Sequence, residues 1–171
     1  GKPSIGFAIR FESDSGYRPA TEPPRFGRMA QTIEVRDADA SDRIALIDFH
    51  RSLYQEHRDK VVAVEDLPLI EYRNYDQVLR DDLDALLRDK SGYVLLAESE
   101  GAALGYITGR VRTEPDRVLP RRGVIEDWFV VPEARGSGVG AKLLHALEKR
   151  FAATGCEVIE SATWAGNTGA R

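Results

Sequence analysis

The stretch Val124–Leu147, VIEDWFVVPEARGSGVGAKLLHAL, decides how the chain is read. Its first eight residues, Val124–Val131, suit a buried strand, and Pro132 stops it. Three glycines come next, Gly136, Gly138 and Gly140, and then apolar residues return at helical spacing. Glycine lets the backbone turn sharply and brings N–H groups up to a ligand with no Cβ in the way. A helix that begins inside such a turn adds its unpaired first-turn N–H groups and the positive end of its dipole. Strand, glycine turn and helix together make an anion site, most often one for phosphate. Arg135, beside the turn, can contact that anion directly or fix the loop.

The spacing admits two ligand families. Gly136 to Ala141 satisfies G-x-G-x-x-A, a form of the dinucleotide fingerprint, and Arg135 to Gly140 satisfies R-x-x-G-x-G. A dinucleotide fold needs several parallel strand–helix units after its fingerprint, and only thirty residues lie beyond Ala141, which disfavours it. The longer string Ile125-Glu126-Asp127-Trp128-Phe129-Val130, then Pro132-Glu133, Arg135-Gly136, Gly138 and Gly140, resembles motif A of the GNAT superfamily of N-acetyltransferases. Within that superfamily it looks most like the branch of the spermidine/spermine and thialysine acetyltransferases.

The resemblance implies an α/β fold, a mixed and mostly antiparallel sheet flanked by helices and splayed where acetyl-CoA enters. It implies direct transfer of an acetyl group from acetyl-CoA to a primary amine of a small molecule or a lysine-like group. Phe129, Val130 and Val131 would offer backbone hydrogen bonds to pantetheine. Arg135, Gly136, Ser137, Gly138, Val139, Gly140 and Ala141 would hold the pyrophosphate, and Asn167 would add a further cofactor-side contact. Glu126 matches the family's base, commonly acting through water, and Asp127 a contact to the substrate ammonium. Simple alternation puts Glu126 with Trp128 on one face of the strand and Asp127 with Phe129 on the other. The alternative function is a non-catalytic CoA-binding or regulatory domain of the same fold. A homodimer is an expectation from family habit.

Composition narrows the partners. The 171 residues suffice for one domain, and a net charge of −4 gives no general attraction to nucleic acid or to an anionic membrane. No apolar run reaches the roughly 18–20 residues needed to cross a bilayer, and no signal peptide is visible. The single cysteine, Cys156, excludes an internal disulfide and fits a reducing compartment, with the cytoplasm as the default. His50, His57 and His145 have no paired spacing for metal or triad chemistry and read as helix-surface or packing residues; no metal is expected.

Residues 1–31 read as a separate segment and 32–171 as the acetyl-CoA-binding core. Ile5–Glu12 suits a short helix or strand, and Arg25–Gln31 a strand. Ala8–Tyr17 resembles the family's closing motif, a helix running into Gly-Tyr, which normally ends the fold. It is a chance match, a permuted or swapped closing element, or a remnant of a preceding domain. In that alignment Glu12 stands where the family often places the Tyr that protonates the leaving thiolate, so the general acid is unassigned. From Thr32 the pattern is strand (32–36), helix (from an Asp39 or Ser41 cap to His57), connection (58–73), helix (76–90), strands 93–98 and 103–112, the organising strand, helix 138–153 and strand 156–163. Ile44, Leu46, Ile47, Leu53 and Tyr54 are the expected buried side of the first helix.

Overall fold

The computed structural model describes residues 5–10 as backbone, residues 32–163 in full and Asn167. The strands are β1 (Ile5–Arg10), β2 (Glu34–Asp37), β3 (Gly92–Ser99), β4 (Ala102–Thr113), β5 (Arg121–Val130) and β6 (Val158–Thr163). The helices are α1 (Arg43–Glu56), α2 (Tyr75–Arg88) and α3 (Val139–Ala153). The sheet order is β1-β6-β5-β4-β3-β2. Every neighbouring pair is antiparallel except β5 and β6, which run parallel because α3 crosses between them. The mixed, mostly antiparallel sheet flanked by helices is the expected fold.

Local chemistry sets the element ends. Asp39 accepts the Ser41 N–H at 2.7 Å, Asp42 reaches back to the Asp39 N–H at 2.9 Å, and this reciprocal cap opens the first helical segment. Glu100 and Gly101, with φ of 52° and 77°, make the two-residue turn between β3 and β4. Past α1 the chain widens into a π turn over His57–Val61, and a 3-10 turn over Val64–Leu69 absorbs Pro68.

Two apolar cores cover the two faces of the sheet. Against one face, α3 buries Val139, Leu143, Leu147 and Phe151 over Leu95, Ile107, Ile125 and Ile159. Phe151 lies close because β4 and β5 present glycines beneath it. A Cβ on Gly123 would stand 2.4 Å from its ring, and one on Gly109 would stand 2.7 Å away. Against the other face, α1 and α2 bury Leu46, Phe49, Leu79, Leu83 and Leu86 over Leu96, Tyr106 and Phe129. The expected inward stripe of α1 is corrected at one end. Ile44 is 76% exposed, because it lies about 200° around the helix from the fully buried Leu46. Phe49 takes the place inside.

The N-terminal segment contributes β1, paired antiparallel to β6 from Ile5↔Thr163 to Arg10↔Val158. Ile5–Arg10 is therefore strand, not helix. The first three residues of the stretch compared with the closing helix, Ala8–Arg10, are extended, because their backbone pairs with β6. Phe11, Glu12, Gly16, Tyr17 and the strand expected over 25–31 lie outside the described residues.

Candidate active site

The strands β5 and β6 are paired only from Arg122–Ile125 against Val158–Ser161, and beyond that point they part. The opening is the splay in which a ligand can lie. Val131 donates its N–H to Leu104 O at 2.9 Å, so Phe129 and Val131 turn their backbone groups to β4, and Val130 turns its own toward the opening. Of the three residues expected to offer backbone hydrogen bonds there, Val130 does so geometrically. The expectation is corrected for Val131, whose N–H is committed, and for Phe129, which faces Tyr106 across the ladder. The Val130 carbonyl accepts from Arg135 Nε at 3.0 Å, leaving its N–H for the opening.

Beyond Pro132, a 3-10 turn leads into the glycine turn. Gly136 and Gly138 have φ of 77° and 91°, conformations that other residues reach only at a cost, and a Cβ on either would meet no atom within 4 Å. Among the described residues, the N–H groups of Gly136, Gly138, Val139, Gly140 and Ala141 donate to no carbonyl. Ser137 differs, since its N–H and its hydroxyl both go to Ala134 O, at 3.4 and 2.6 Å. Five free donors at a helix N-terminus form a cradle that fits a pyrophosphate. Arg135 fixes the loop: its guanidinium pairs with Glu56 at 2.7 Å and lies 5.6 Å over the Phe129 ring. A cleft of about 420 Å³ runs from this cradle between α1 and β5, past Leu53, His57, Trp128, Val130 and Asn167. Asn167 donates to Thr163 Oγ1 at 3.0 Å on the cleft wall. Burial holds the His57 imidazole below its ordinary pKa, against the opposing pull of Asp127.

The acidic pair of β5 departs from simple alternation. Ile107 opposes Trp128 and Gly109 opposes Ile125, so the single residue Thr108 stands across from both Glu126 and Asp127. This β-bulge inserts one extra residue and reverses the facing of the strand beyond it. Ile125 packs under α3, whereas Phe129 packs under α1. Glu126 and Asp127 consequently share the α1–α2 face, and Trp128 points the other way, toward Gly140. The expected pairing of Glu126 with Trp128 is thus wrong, while that of Asp127 with Phe129 holds. The fully buried Thr108 locks the bulge: its hydroxyl accepts the Asp127 N–H at 3.0 Å and donates to Asp127 Oδ2 at 3.3 Å.

Both carboxylates line a second cavity of about 310 Å³, with His50, Tyr72, Tyr75 and Asp82 around them. Arg110 Nε stands 2.9 Å from each oxygen of Glu126. His50 Nε2 lies 3.8 Å from Asp127 Oδ1, and His50 Nδ1 lies 2.9 Å from the Tyr75 hydroxyl. Burial raises the Tyr75 phenol well above its usual value, so it stays protonated. Sequence reasoning takes His50 for a helix-surface or packing residue and misses this setting. The available signal is its place on the inward face of α1, next to Phe49, but its partners come from distant elements. The two cavities follow one another along α1 and β5: His50 and Asp127 line this one, and Leu53 and Val130, about one turn and three residues further along, line the cleft.

The Acetyltransferase (GNAT) family model matches residues 48–171 of this chain. The chain belongs to the GNAT acetyltransferase family. An uncharacterized N-acetyltransferase of Archaeoglobus fulgidus is 37% identical over 122 residues, covering 68% of this chain and 72% of that protein. An aminoglycoside N(6')-acetyltransferase of Stenotrophomonas maltophilia is 34% identical over 88 residues, 47% of this chain and 55% of that one. Among solved structures, the aminoglycoside N-acetyltransferase AAC(6')-Iy in complex with CoA shares the fold at a TM-score of 0.66, with 18% identity and 82% of each chain covered. A predicted acetyltransferase from Clostridium acetobutylicum with acetyl-CoA gives 0.63 at 18% identity, covering 80% and 84%. As a GNAT protein this chain is an acetyl-CoA-dependent N-acetyltransferase, which turns against the non-catalytic alternative. The dinucleotide reading fails on topology, since β5–β6 is the one parallel pair among the described strands. Among the described residues no group of three or more His, Cys, Asp or Glu side chains is arranged to hold a metal.

Proposed function

We propose that the protein transfers the acetyl group of acetyl-CoA directly to the primary amine of a small cationic molecule, with a lysine-like side chain as the nearest chemical equivalent. The observation that carries this reading is the cradle and splay together with a cavity walled by Asp82, Glu126 and Asp127 on the neighbouring stretch of α1 and β5. The free N–H groups of Gly136 and of Gly138 to Ala141 hold the pyrophosphate. Val130 N–H receives the acyl arm, Arg135 acts through the loop rather than on the phosphates, and Asn167 borders the cofactor side. A carboxylate-lined cavity concentrates an ammonium over a neutral or anionic acceptor. Asp127 contacts that ammonium. Glu126, with Arg110 against both of its oxygens, takes the first proton through water. The similarity of the string Ile125–Val130 and the glycine turn to the spermidine/spermine and thialysine branch supports a flexible di- or polyamine, and the aminoglycoside relatives support a polycationic one. A buried Cys156 is consistent with a reducing compartment.

The test is thiol release from acetyl-CoA with 1,4-diaminobutane and kanamycin as acceptors, on the wild type and Glu126→Gln. The expected result is turnover by the wild type and a fall in kcat on the order of 10²-fold in the variant, with acetyl-CoA binding retained. A variant with unchanged kcat refutes the role of Glu126.

A further inference from the structure

An amine that enters as an ammonium and leaves as an amide sheds two protons. The first must go before nitrogen can attack. The second sits on nitrogen once the C–N bond has formed, and it must leave as the tetrahedral adduct collapses. Glu126, held by Arg110 and reached through water, accounts for the first. The second requires a group with a free lone pair facing the reacting nitrogen.

His50 meets that requirement. The Tyr75 hydroxyl donates to the His50 carbonyl at 3.4 Å, which turns its oxygen lone pairs toward Nδ1 at 2.9 Å. In the tautomer this favours, Nδ1–H donates to Tyr75 and the lone pair is on Nε2, which faces Asp127 Oδ1 across 3.8 Å. A nitrogen that carries protons can reach both acceptors from beside the line that joins them, at about 2.8–3.0 Å from each. Tyr54 stacks on Tyr75 at 4.4 Å between centroids and fixes the phenol that fixes the imidazole. The groups around His50 are Tyr72, which precedes α2, Tyr75 and Asp82 from α2, Glu126 and Asp127 from β5, Arg110 from β4, and His57 in the π turn that follows α1.

We infer that the acceptor nitrogen stands against both Asp127 Oδ1 and His50 Nε2, and that His50 is a further catalytic residue, taking the amine's second proton. The amine lone pair forms the C–N bond to the thioester carbon while the carbonyl π pair moves to oxygen. That pair then re-forms the carbonyl as the C–S bond breaks, and the sulfur leaves with its electrons. The nitrogen proton passes to Nε2, where the Asp127 carboxylate faces the resulting imidazolium. His50 then returns the proton to solvent, and the thiolate takes one up from solvent. The inference rests on the small-amine acetyl-transfer reading.

The test compares the wild type, His50→Gln and Tyr75→Phe at saturating acetyl-CoA. Thiol release with 1,4-diaminobutane and kanamycin is followed from pH 5.5 to 9.5, and acetyl-CoA binding is measured separately by calorimetry. Gln keeps a polar atom near the Nε2 position but cannot accept a proton. Expected are a fall in kcat of about 100-fold in His50→Gln, loss of the wild-type's rising acid limb, and unchanged acetyl-CoA affinity. Tyr75→Phe, which frees the tautomer, lowers kcat about tenfold with KM within about twofold, as expected of a positioning residue. An unaltered kcat and acid limb in His50→Gln overturns the inference and leaves the acetyl-transfer reading standing. Should His50→Gln fail to bind acetyl-CoA, an unaltered kcat in Tyr75→Phe overturns it instead. Wild-type protein that binds acetyl-CoA but releases no thiol with either amine overturns the small-amine reading, and this inference with it.

Discussion

Replacing Thr108 by Val separates the bulge from the rest of the fold. The substitution is close to isosteric, so at a fully buried position it opens no cavity; it removes only the hydroxyl. That hydroxyl makes two bonds to Asp127, accepting its N–H at 3.0 Å and donating to its carboxylate at 3.3 Å. Leaving the Asp127 N–H unpaired costs about 1–3 kcal/mol, and the longer bond to the carboxylate contributes about 1 kcal/mol more. The sum is about 2–4 kcal/mol, which in a chain of this size lowers Tm by roughly 4–16 °C. Urea denaturation followed by circular dichroism measures the loss directly, and Thr108→Ser, which keeps the hydroxyl, should recover most of it. Acetyl transfer should fall further than stability alone explains, because the bulge is what puts Glu126 and Asp127 on one face. A Thr108→Val protein within about 0.5 kcal/mol of the wild type, with equal activity, would refute the claim that this side chain holds the bulge.

The same geometry has consequences elsewhere in the fold. Gly123→Ala sets a Cβ 2.4 Å from the Phe151 ring, so α3 must shift, and thermal melting should show a loss of about 1–3 kcal/mol with the cavity around Glu126 and Asp127 intact. Asp42 accepts from Arg36 at 2.7 and 2.9 Å, and this bond, with the opposing cost of burial, holds its carboxyl below the ordinary value. The stability it contributes is full above the unfolded pKa of about 4 and is lost as pH falls through the lower folded value. In Asp42→Asn the unfolding free energy should be lower at pH 7 and fall less steeply below about pH 4, as acid titration with a fluorescence readout would show.

Much of the fold is legible in the sequence because its signals are local. The Glu100-Gly101 turn, the heptad-like leucines of α2, Pro132 and the glycine turn each act within a few residues, and the elements they bound lie within two or three positions of expectation. The parallel pairing of β5 and β6 is implied by the helix between them. The features that are not legible depend on partners far away in sequence. The bulge at Glu126–Asp127 exists because a Thr hydroxyl 19 residues earlier replaces a ladder bond, and alternation alone predicts the opposite face. Arg135 reads as a phosphate ligand by position, yet Glu56, 79 residues before it, holds it to the loop. His50 gains its setting from Tyr75 and Asp127, neither on its own helix. Ile44 falls outside because helix phase, not hydrophobicity, decides burial at the first turn of α1.

The central claim is that the free N–H groups between Gly136 and Ala141 bind the pyrophosphate of acetyl-CoA. Calorimetric titration of acetyl-CoA into the wild type and into Gly138→Trp, with NAD as the control, tests it most directly. Gly138 has a positive φ and no atom within 4 Å of its missing Cβ, so an indole there fills the ligand's space and strains only its own backbone. The account predicts saturable one-site binding of acetyl-CoA by the wild type, no binding by a folded Gly138→Trp and none of NAD by either. Equal acetyl-CoA affinity in both proteins, or NAD binding in place of acetyl-CoA, would contradict it.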